Sequence, residues 1–328
     1  MAHVMDIMEL AYTCVDTCMG VQEGQKVLVI VDRGCLDYGE ALCAAANLKG
    51  ARTAITIMPE PKPYDKEPNE IAIAGMKAAD VVITAFSLPV MSNQFIHTKA
   101  LKDALDGGLR YGTFLPPAPG SRGVTAKDLL ETRDRAYRLA ERLTKAESAR
   151  VTTVLGTNVI MSLKGRKGTA LSPICPKSKS EPGRWASMPN FSEAAVPPLE
   201  GTAEGVAVID GMINWIGSVR EPVRLSFKGG RVTEICGGSD AERLRTILEQ
   251  ADENATNVAE LGIGTVADQL PIGGNIDKRL IGTAHFGLGD NYTLGGSVRS
   301  SIHLDALMYG VTVELDGEPV VKAGKFLA

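Results

Sequence analysis

Two of the chain's four histidines, His285 and His303, stand close together near the C-terminus, and each keeps company that suits a metal ion. His303 belongs to Ser300-Ser301-Ile302-His303-Leu304-Asp305, a His-x-Asp pair in an otherwise strand-like run. Residues i and i+2 of a strand project from one face, so the imidazole and the carboxylate can converge on a point. Taken alone, the pair reads equally as two ligands or as a buried polar pair. Upstream, Gly282-Thr283-Ala284-His285 and Ala259-Glu260-Leu261-Gly262-Ile263-Gly264 set a second imidazole and a carboxylate among small and apolar residues, with glycines that let the backbone approach closely. Glu193 is the only ionisable residue from Trp185 to Leu199. A carboxylate in apolar company must be paired, ligated or protonated, unless it simply sits on an exposed loop. Together, these two Glu, two His and one Asp make the mixed set that suits Zn²⁺, Mn²⁺, Co²⁺ or Fe²⁺. The absence of Cys from it argues against a structural zinc site. His3 and His97 read as ordinary core or surface residues.

The elements that must position these residues fall into two kinds. Residues 5–20 read as an amphipathic helix. Lys26 to Val31 is a continuous apolar run, the pattern of a strand buried on both faces. Tyr38 to Leu48 reads as a helix capped at Gly50, Ala51 to Met58 as a strand, 68–78 as a helix, and Ala79 to Ala85 as a third strand. This alternation predicts a parallel, doubly wound α/β sheet. The loop from Asp32 to Gly39 has neither G-x-G-x-x-G nor a Walker lysine, so a scaffold without bound nucleotide is the better reading. A charged helix over 127–147 leads to short alternating strands, among them Gly205 to Asp210, Val223 to Phe227 and Arg231 to Ile235. Phe227-Lys228-Gly229-Gly230-Arg231 reads as a hairpin turn, and Ala241 to Gln250 as a helix with Ser239-Asp240 as its N-cap. Val311 to Val321 suits a core hairpin. The expected organisation is an N-terminal parallel-sheet α/β domain over 1–148, Rossmann-like, followed by a β-rich α+β domain over 149–328 that carries the metal site.

Composition narrows the function. The chain has 328 residues, 44% hydrophobic and 23% charged, which suits an ordinary globular protein of two domains. Formal net charge is −4 and the 35 basic residues are dispersed, giving no footprint for nucleic acid. Nothing at the start resembles a signal peptide, and no apolar stretch reaches the roughly 18 residues of a membrane span. A cytoplasmic protein without a membrane partner is expected. Six cysteines in so long a chain are no disulfide framework. Cys14 and Cys18, spaced i, i+4, could be half of a metal site, but buried small hydrophobes are the better reading.

The metal-site segments resemble those of the M29 metallopeptidases, the aminopeptidase T family. Pro189 to Pro197 resembles its Pro-x-x-x-Glu segment with a following apolar-Pro step. Ala259 to Gly264 resembles its Ala-Glu-Leu-Gly-Ile-Gly, Gly282 to His285 its Gly-Thr-x-His with Tyr292 seven residues on, and Ser300 to Asp305 its Ser-Ser-Ile-His-x-Asp. The resemblance spans 185–325. It implies a two-domain α/β homodimer with a cocatalytic two-metal site. In it Glu193, Glu260, His285, His303 and Asp305 would be ligands, and Tyr292 a ligand or catalytic acid. Glu193 and Glu260 would divide the roles of bridging ligand and general base. A related branch contains mononuclear iron(II) dioxygenases that cleave 2,5-dihydroxypyridine. That branch is similar in Gly183-Arg184-Trp185, Thr202-Ala203-Glu204-Gly205 and His303-Leu304-Asp305, and the chain's length suits it. In those dioxygenases a histidine stands where this chain has Glu260, completing a 2-His-1-carboxylate triad.

Because the peptidase-type ligand set is complete, the expectation is a metal-dependent hydrolase of the aminopeptidase T type. It would use two divalent ions (Zn, Co or Mn) to remove N-terminal residues from short peptides or to hydrolyse a small amide. The alternative is an iron(II) ring-cleaving dioxygenase holding one Fe(II) through His303, Asp305 and either Glu260 or His285. A protein that keeps the fold without catalysis fits poorly with five retained ligand types. Arg299 reads either as a contact for an anionic substrate group or as a solvated surface residue.

Overall fold

The computed structural model describes residues 4–59, 67–87, 98–116, 124–177, 185–189 and 191–328. His3, His97 and the Gly183-Arg184 pair lie outside them. The chain forms two compact units, Met1–Arg133 with Leu171–Phe191, and Asp134–Ala170 with Ser192–Ala328. Where a single boundary was expected between 148 and 149, the chain crosses at 133/134, returns at 170/171 and crosses again at 191/192.

The first unit is a five-stranded sheet of β1 (Lys26–Val31), β2 (Arg52–Ile57), β3 (Val81–Ala85), β4 (Arg110–Phe114) and β8 (Ala186–Met188), in the order β2-β1-β3-β4-β8. All four pairings are parallel. The apolar run read at β1 is buried along Val27–Val31, and β3 is buried throughout, because helices cover both faces of a parallel sheet. The expected helix over 5–20 is instead an α-helix, Val4–Thr13, that widens into a π-turn over Cys14–Cys18. There the Met19 amide donates to the Cys14 carbonyl five residues back, at 2.8 Å. Both cysteines are buried free thiols, as small hydrophobes would be. The switch in strand order falls between β1 and β3, where open α/β sheets often bind ligands. Hydrogen bonds fill it here. Asp32 Oδ1 accepts from the Cys35 amide and from Ser87 Oγ, both at 2.9 Å, and Oδ2 from the Ser87 amide at 2.8 Å.

The second unit is β-rich and antiparallel. Its eight-stranded sheet runs β14-β13-β10-β6-β5-β18-β19-β20. In chain order these are β5 (Ser148–Thr152), β6 (Asn158–Ser162), β10 (Glu204–Ile209), β13 (Val223–Lys228), β14 (Arg231–Cys236), β18 (Thr312–Leu315), β19 (Glu318–Lys322) and β20 (Lys325–Phe326). The expected hairpin between β13 and β14 turns through Gly229 and Gly230, at φ of 58° and 71°, the positive angles that a tight two-residue turn demands. The Val311 to Val321 segment pairs as the β18–β19 hairpin. A seven-stranded sheet runs β12-β11-β17-β16-β15-β9-β7. Its strands are β7 (Thr169–Leu171), β9 (Glu193–Val196), β11 (Met212–Ile213), β12 (Gly217–Ser218), β15 (Val258–Gly264), β16 (Ala284–Gly289) and β17 (His303–Met308).

The two sheets share one apolar core. In it Phe227 of β13 meets Phe286 of β16 edge-on, with centroids 5.3 Å apart. The helix Ala126–Lys145 adds Ala136, Leu139, Ala140 and Leu143, a one-sided i, i+3, i+4, i+7 stripe. The second helix, Ser239–Gln250, starts from Gly238 rather than from a Ser239-Asp240 cap. The buried Asp240 carboxylate instead accepts from the Arg220 amide at 2.9 Å.

Candidate metal centre

Four adjacent strands, β17, β16, β15 and β9, carry all five ligand candidates. On β17, His303 and Asp305 share a face, as their spacing requires. Register aligns the rest: Asp305 lies opposite Gly287 and Gly287 opposite Glu260, while His285 faces Gly262 and Glu193 faces Gly264. A bulge between Val258 and Glu260 shifts the pairing just before the acid. The alternate residues Leu261, Ile263, Phe286, Leu288, Leu304 and Ala306 enter the apolar core. Each strand is thus apolar on one face and bears acids, imidazoles and glycines on the other.

Two glycines make the hollow. A Cβ on Gly287 would lie 2.7 Å from Glu260 Cβ and 2.9 Å from His303 Cε1, and a Cβ on Gly262 only 2.0 Å from His285 Cε1. The imidazoles occupy the room that larger residues would fill.

Within the hollow, His303 Nε2 lies 2.9 Å from Glu260 Oε2 and 3.3 Å from Asp305 Oδ1. Its Nδ1 lies 2.7 Å from the Asp290 carbonyl, which can only accept; Nδ1 therefore carries the proton and Nε2 is turned toward the acids. His285 Nε2 lies 3.6 Å from Glu260 Oε1 and 3.9 Å from Asp305 Oδ1, too far for hydrogen bonds. Ligand atoms of Glu193, Glu260 and His285 lie within 4.8 Å of one another, as do those of Glu260, His303 and Asp305. The two groupings share Glu260. Asn214 Nδ2 steadies Asp305 from the side, donating to Oδ2 at 3.3 Å.

Sequence reasoning missed one member, Lys278. Its Nζ lies 2.9 Å from Asp305 Oδ2 and 3.5 Å from Glu193 Oε1, with the side chain only 12% exposed. It comes from a 3-10 turn, Asn275–Arg279, in a stretch so polar and glycine-rich that it reads as a solvated loop. The preceding residue pins that turn. Asp277 accepts from the Ile272 amide at 3.0 Å, the Gly273 amide at 2.8 Å and the Tyr309 hydroxyl at 2.7 Å.

Charge inside the hollow is tightly interdependent. Burial pushes the Glu193 carboxyl up, and Lys278 and His285 only partly offset it. Burial also opposes the charge of Glu260 and Asp305. The two imidazoles outweigh it at Glu260, and Lys278 with the imidazoles outweighs it at Asp305, so both carboxyls are held down. Burial disfavours the cationic forms of His285, His303 and Lys278, yet the surrounding carboxylates hold all three above their ordinary values. Even so, among the described residues, Glu193 Oε2, Asp305 Oδ1 and both ring nitrogens of His285 are buried with no hydrogen-bond partner. Buried polar atoms are nearly always paired. Four exceptions in one cluster, with oxygen and imidazole donors only, fit a divalent cation.

Tyr292 and Arg299 lie apart from this pattern. Tyr292 sits on a 3-10 turn, Tyr292–Leu294, half exposed, with the Arg299 guanidinium 3.5 Å from its ring centroid. Among the described residues, the hydrogen bonds and ion pairs of the cluster involve neither side chain. The loop that bears them is tied down by Glu200, which pairs with Arg166 and accepts from Asn291 Nδ2 at 3.0 Å and the Ser297 amide at 2.8 Å.

Among known proteins, the pattern of the family described as NicX, 2,5-dihydroxypyridine 5,6-dioxygenase, matches residues 7–328. The chain belongs to that family. The 2,5-dihydroxypyridine 5,6-dioxygenase of Pseudomonas putida KT2440 is 28% identical to it over 276 residues, 79% of this chain and 76% of that one. The solved structure of 2,5-dihydroxypyridine dioxygenase from the same organism superposes with a TM-score of 0.80 at 21% identity, covering 100% of this chain and 99% of the other. AmpT from Thermus thermophilus superposes with a TM-score of 0.69 at 14% identity, covering 100% of both chains. At those identities the two structures speak for the fold, a parallel-sheet α/β unit with an antiparallel β-rich one. Family membership marks the chain as an enzyme of the NicX branch, and the ligand groupings fit a bound metal. The expected aminopeptidase-type hydrolysis gains nothing beyond the shared fold. Among the described residues, no helix is long and apolar enough to cross a membrane.

Proposed function

We propose that this chain is a mononuclear iron(II) dioxygenase that opens a hydroxylated pyridine or related aromatic ring. Membership of the NicX family over nearly the whole chain supports the reaction class. The observation that carries the site is the Glu260, His303 and Asp305 grouping, one imidazole and two carboxylates converging from adjacent strands. Such a set would suit Fe(II), and three protein donors would not by themselves fill its coordination shell. Iron held there would supply the one-electron chemistry by which ground-state dioxygen can react with a closed-shell ring.

The chain's own residues do the rest. His303 is oriented by the Asp290 carbonyl, which leaves its Nε2 turned toward Glu260 and Asp305. Asp305 is held by Asn214 and Lys278. Glu193, whose affinity for protons burial raises, can take the proton that a ring hydroxyl gives up on binding. His285, a buried member of the Glu193 grouping whose Nε2 lies 3.6 Å from Glu260 and 3.9 Å from Asp305, offers a second imidazole in the place of the histidine that the dioxygenase pattern has at position 260.

The test is reconstitution with Fe(II) under argon, followed by 2,5-dihydroxypyridine and air. Stoichiometric oxygen uptake with loss of the ring absorbance is expected. Release of N-terminal residues from dipeptides by the Zn- or Mn-loaded protein, with no ring loss by the iron form, would overturn the reading. That second outcome has one structural observation in its favour: Glu193, Glu260 and His285 form a grouping of their own.

A further inference from the structure

The two ligand groupings invite a count of two metal ions, yet a cation already stands between one acid of each. The carboxylates of Glu193 and Asp305 are spanned by Lys278, whose Nζ lies 3.5 Å from one and 2.9 Å from the other. A second metal held by Glu193 would have to share that carboxylate with the ammonium. The lysine is no stray surface rotamer. Its side chain is 12% exposed, and its turn is fastened by three hydrogen bonds to Asp277, one of them from Tyr309, which follows the β17 strand that bears His303 and Asp305.

Charge balance points the same way. Glu193, Glu260 and Asp305 can bring at most three negative charges into a buried pocket. One divalent ion and one ammonium cancel them. A second divalent ion beside the ammonium would leave two uncompensated positive charges, and even a bridging hydroxide would remove only one. In a site shielded from water, such an excess is costly.

We propose that Lys278 is a resident cation standing in for a second metal ion, and that it holds this site to one divalent metal. The inference rests on the reading of the five residues as a metal site, but not on which reaction the metal serves.

The experiment counts zinc, which is redox-inert and therefore independent of oxygen chemistry. Metal-free protein is saturated with Zn(II) and desalted, and bound zinc is measured by mass spectrometry. The wild type is expected to retain one equivalent. Lys278→Met keeps the length of the side chain without its charge and is expected to retain two. Lys278→Arg, still cationic, is expected to stay at one. Two equivalents in the wild type would overturn the proposal, as would one equivalent in a Lys278→Met protein with a native circular dichroism spectrum. Should that variant not fold, Lys278→Gln serves as the neutral substitution under the same criteria. If the zinc counts come out as expected but the iron-loaded wild type cleaves no ring, the role of Lys278 stands and the dioxygenase reading falls.

Discussion

Both units bury acidic side chains at the places where their folds tend to hold ligands, but they treat them in opposite ways. At the strand-order switch of the parallel sheet, Asp32 spends both oxygens on Cys35 and Ser87. On the antiparallel sheet, Glu193 and Asp305 each keep a buried oxygen without a hydrogen-bond partner among the described residues, and His285 keeps two such nitrogens. A fully bonded carboxylate stabilises its surroundings and offers nothing to a ligand. A cluster with unmet capacity is destabilising by itself and is best satisfied by a cation. Fold-level expectation favours the switch point; hydrogen-bond accounting favours the sheet face.

The comparison is broken most directly at β17. His303→Ala removes the oriented imidazole and is expected to lower metal affinity by at least about 100-fold, since loss of a supporting residue alone costs 10- to 100-fold. Titration of metal-free protein checks this, and unchanged affinity would remove His303 from the site.

Next come paired glycine substitutions. Gly287→Ala would drive its methyl against Glu260 and His303, and Gly34→Ala would bring one within 2.0 Å of Ser87 Oγ. Each is expected to cost about 1–3 kcal/mol of stability. Only Gly287→Ala should also weaken metal binding. Equal metal affinity in the two variants would contradict the division between a bonded switch and an open cluster.

The third prediction concerns pH. The surrounding carboxylates raise His303 and His285 in the metal-free protein, so their contribution to its stability is full below the unfolded value near 6.5 and fades as pH rises through the raised folded values. Asp305 and Glu260 are lowered. Their contribution is present above the usual carboxylate range and is lost as pH falls through the lowered values. Metal needs the neutral imidazoles, so the gain in Tm on adding Zn(II) should grow as pH rises from 6 to 8. A gain that shrinks over that range would count against the histidines as ligands.

The smallest effect is expected at Tyr292. Half exposed and stacked with Arg299, it should tolerate Tyr292→Phe with a change in stability within about 0.5 kcal/mol and unaltered metal affinity. A large loss of turnover in that variant would restore it as the catalytic acid that the peptidase resemblance implies.

Much of this was legible in the residues. The buried run of β1, the Gly229-Gly230 hairpin and the His303–Asp305 pair are local patterns, set by side-chain alternation and turn geometry over a few residues. The widening of the first helix at Cys14 and the start of the helix at Gly238 were not, because burial and a distant amide decided them. The same division runs through the metal centre. Residue types and spacing were enough to show which side chains could bind a metal and that two of them share a face. The folded sheet brings Glu193, Glu260 and His285 to that pair, because strand register over long separations is set by the packing of the whole sheet. It also brought Lys278, which reads as a loop lysine, into the acids' midst, and left Tyr292 at the surface. A lysine's neighbours in space leave no trace in its neighbours along the chain.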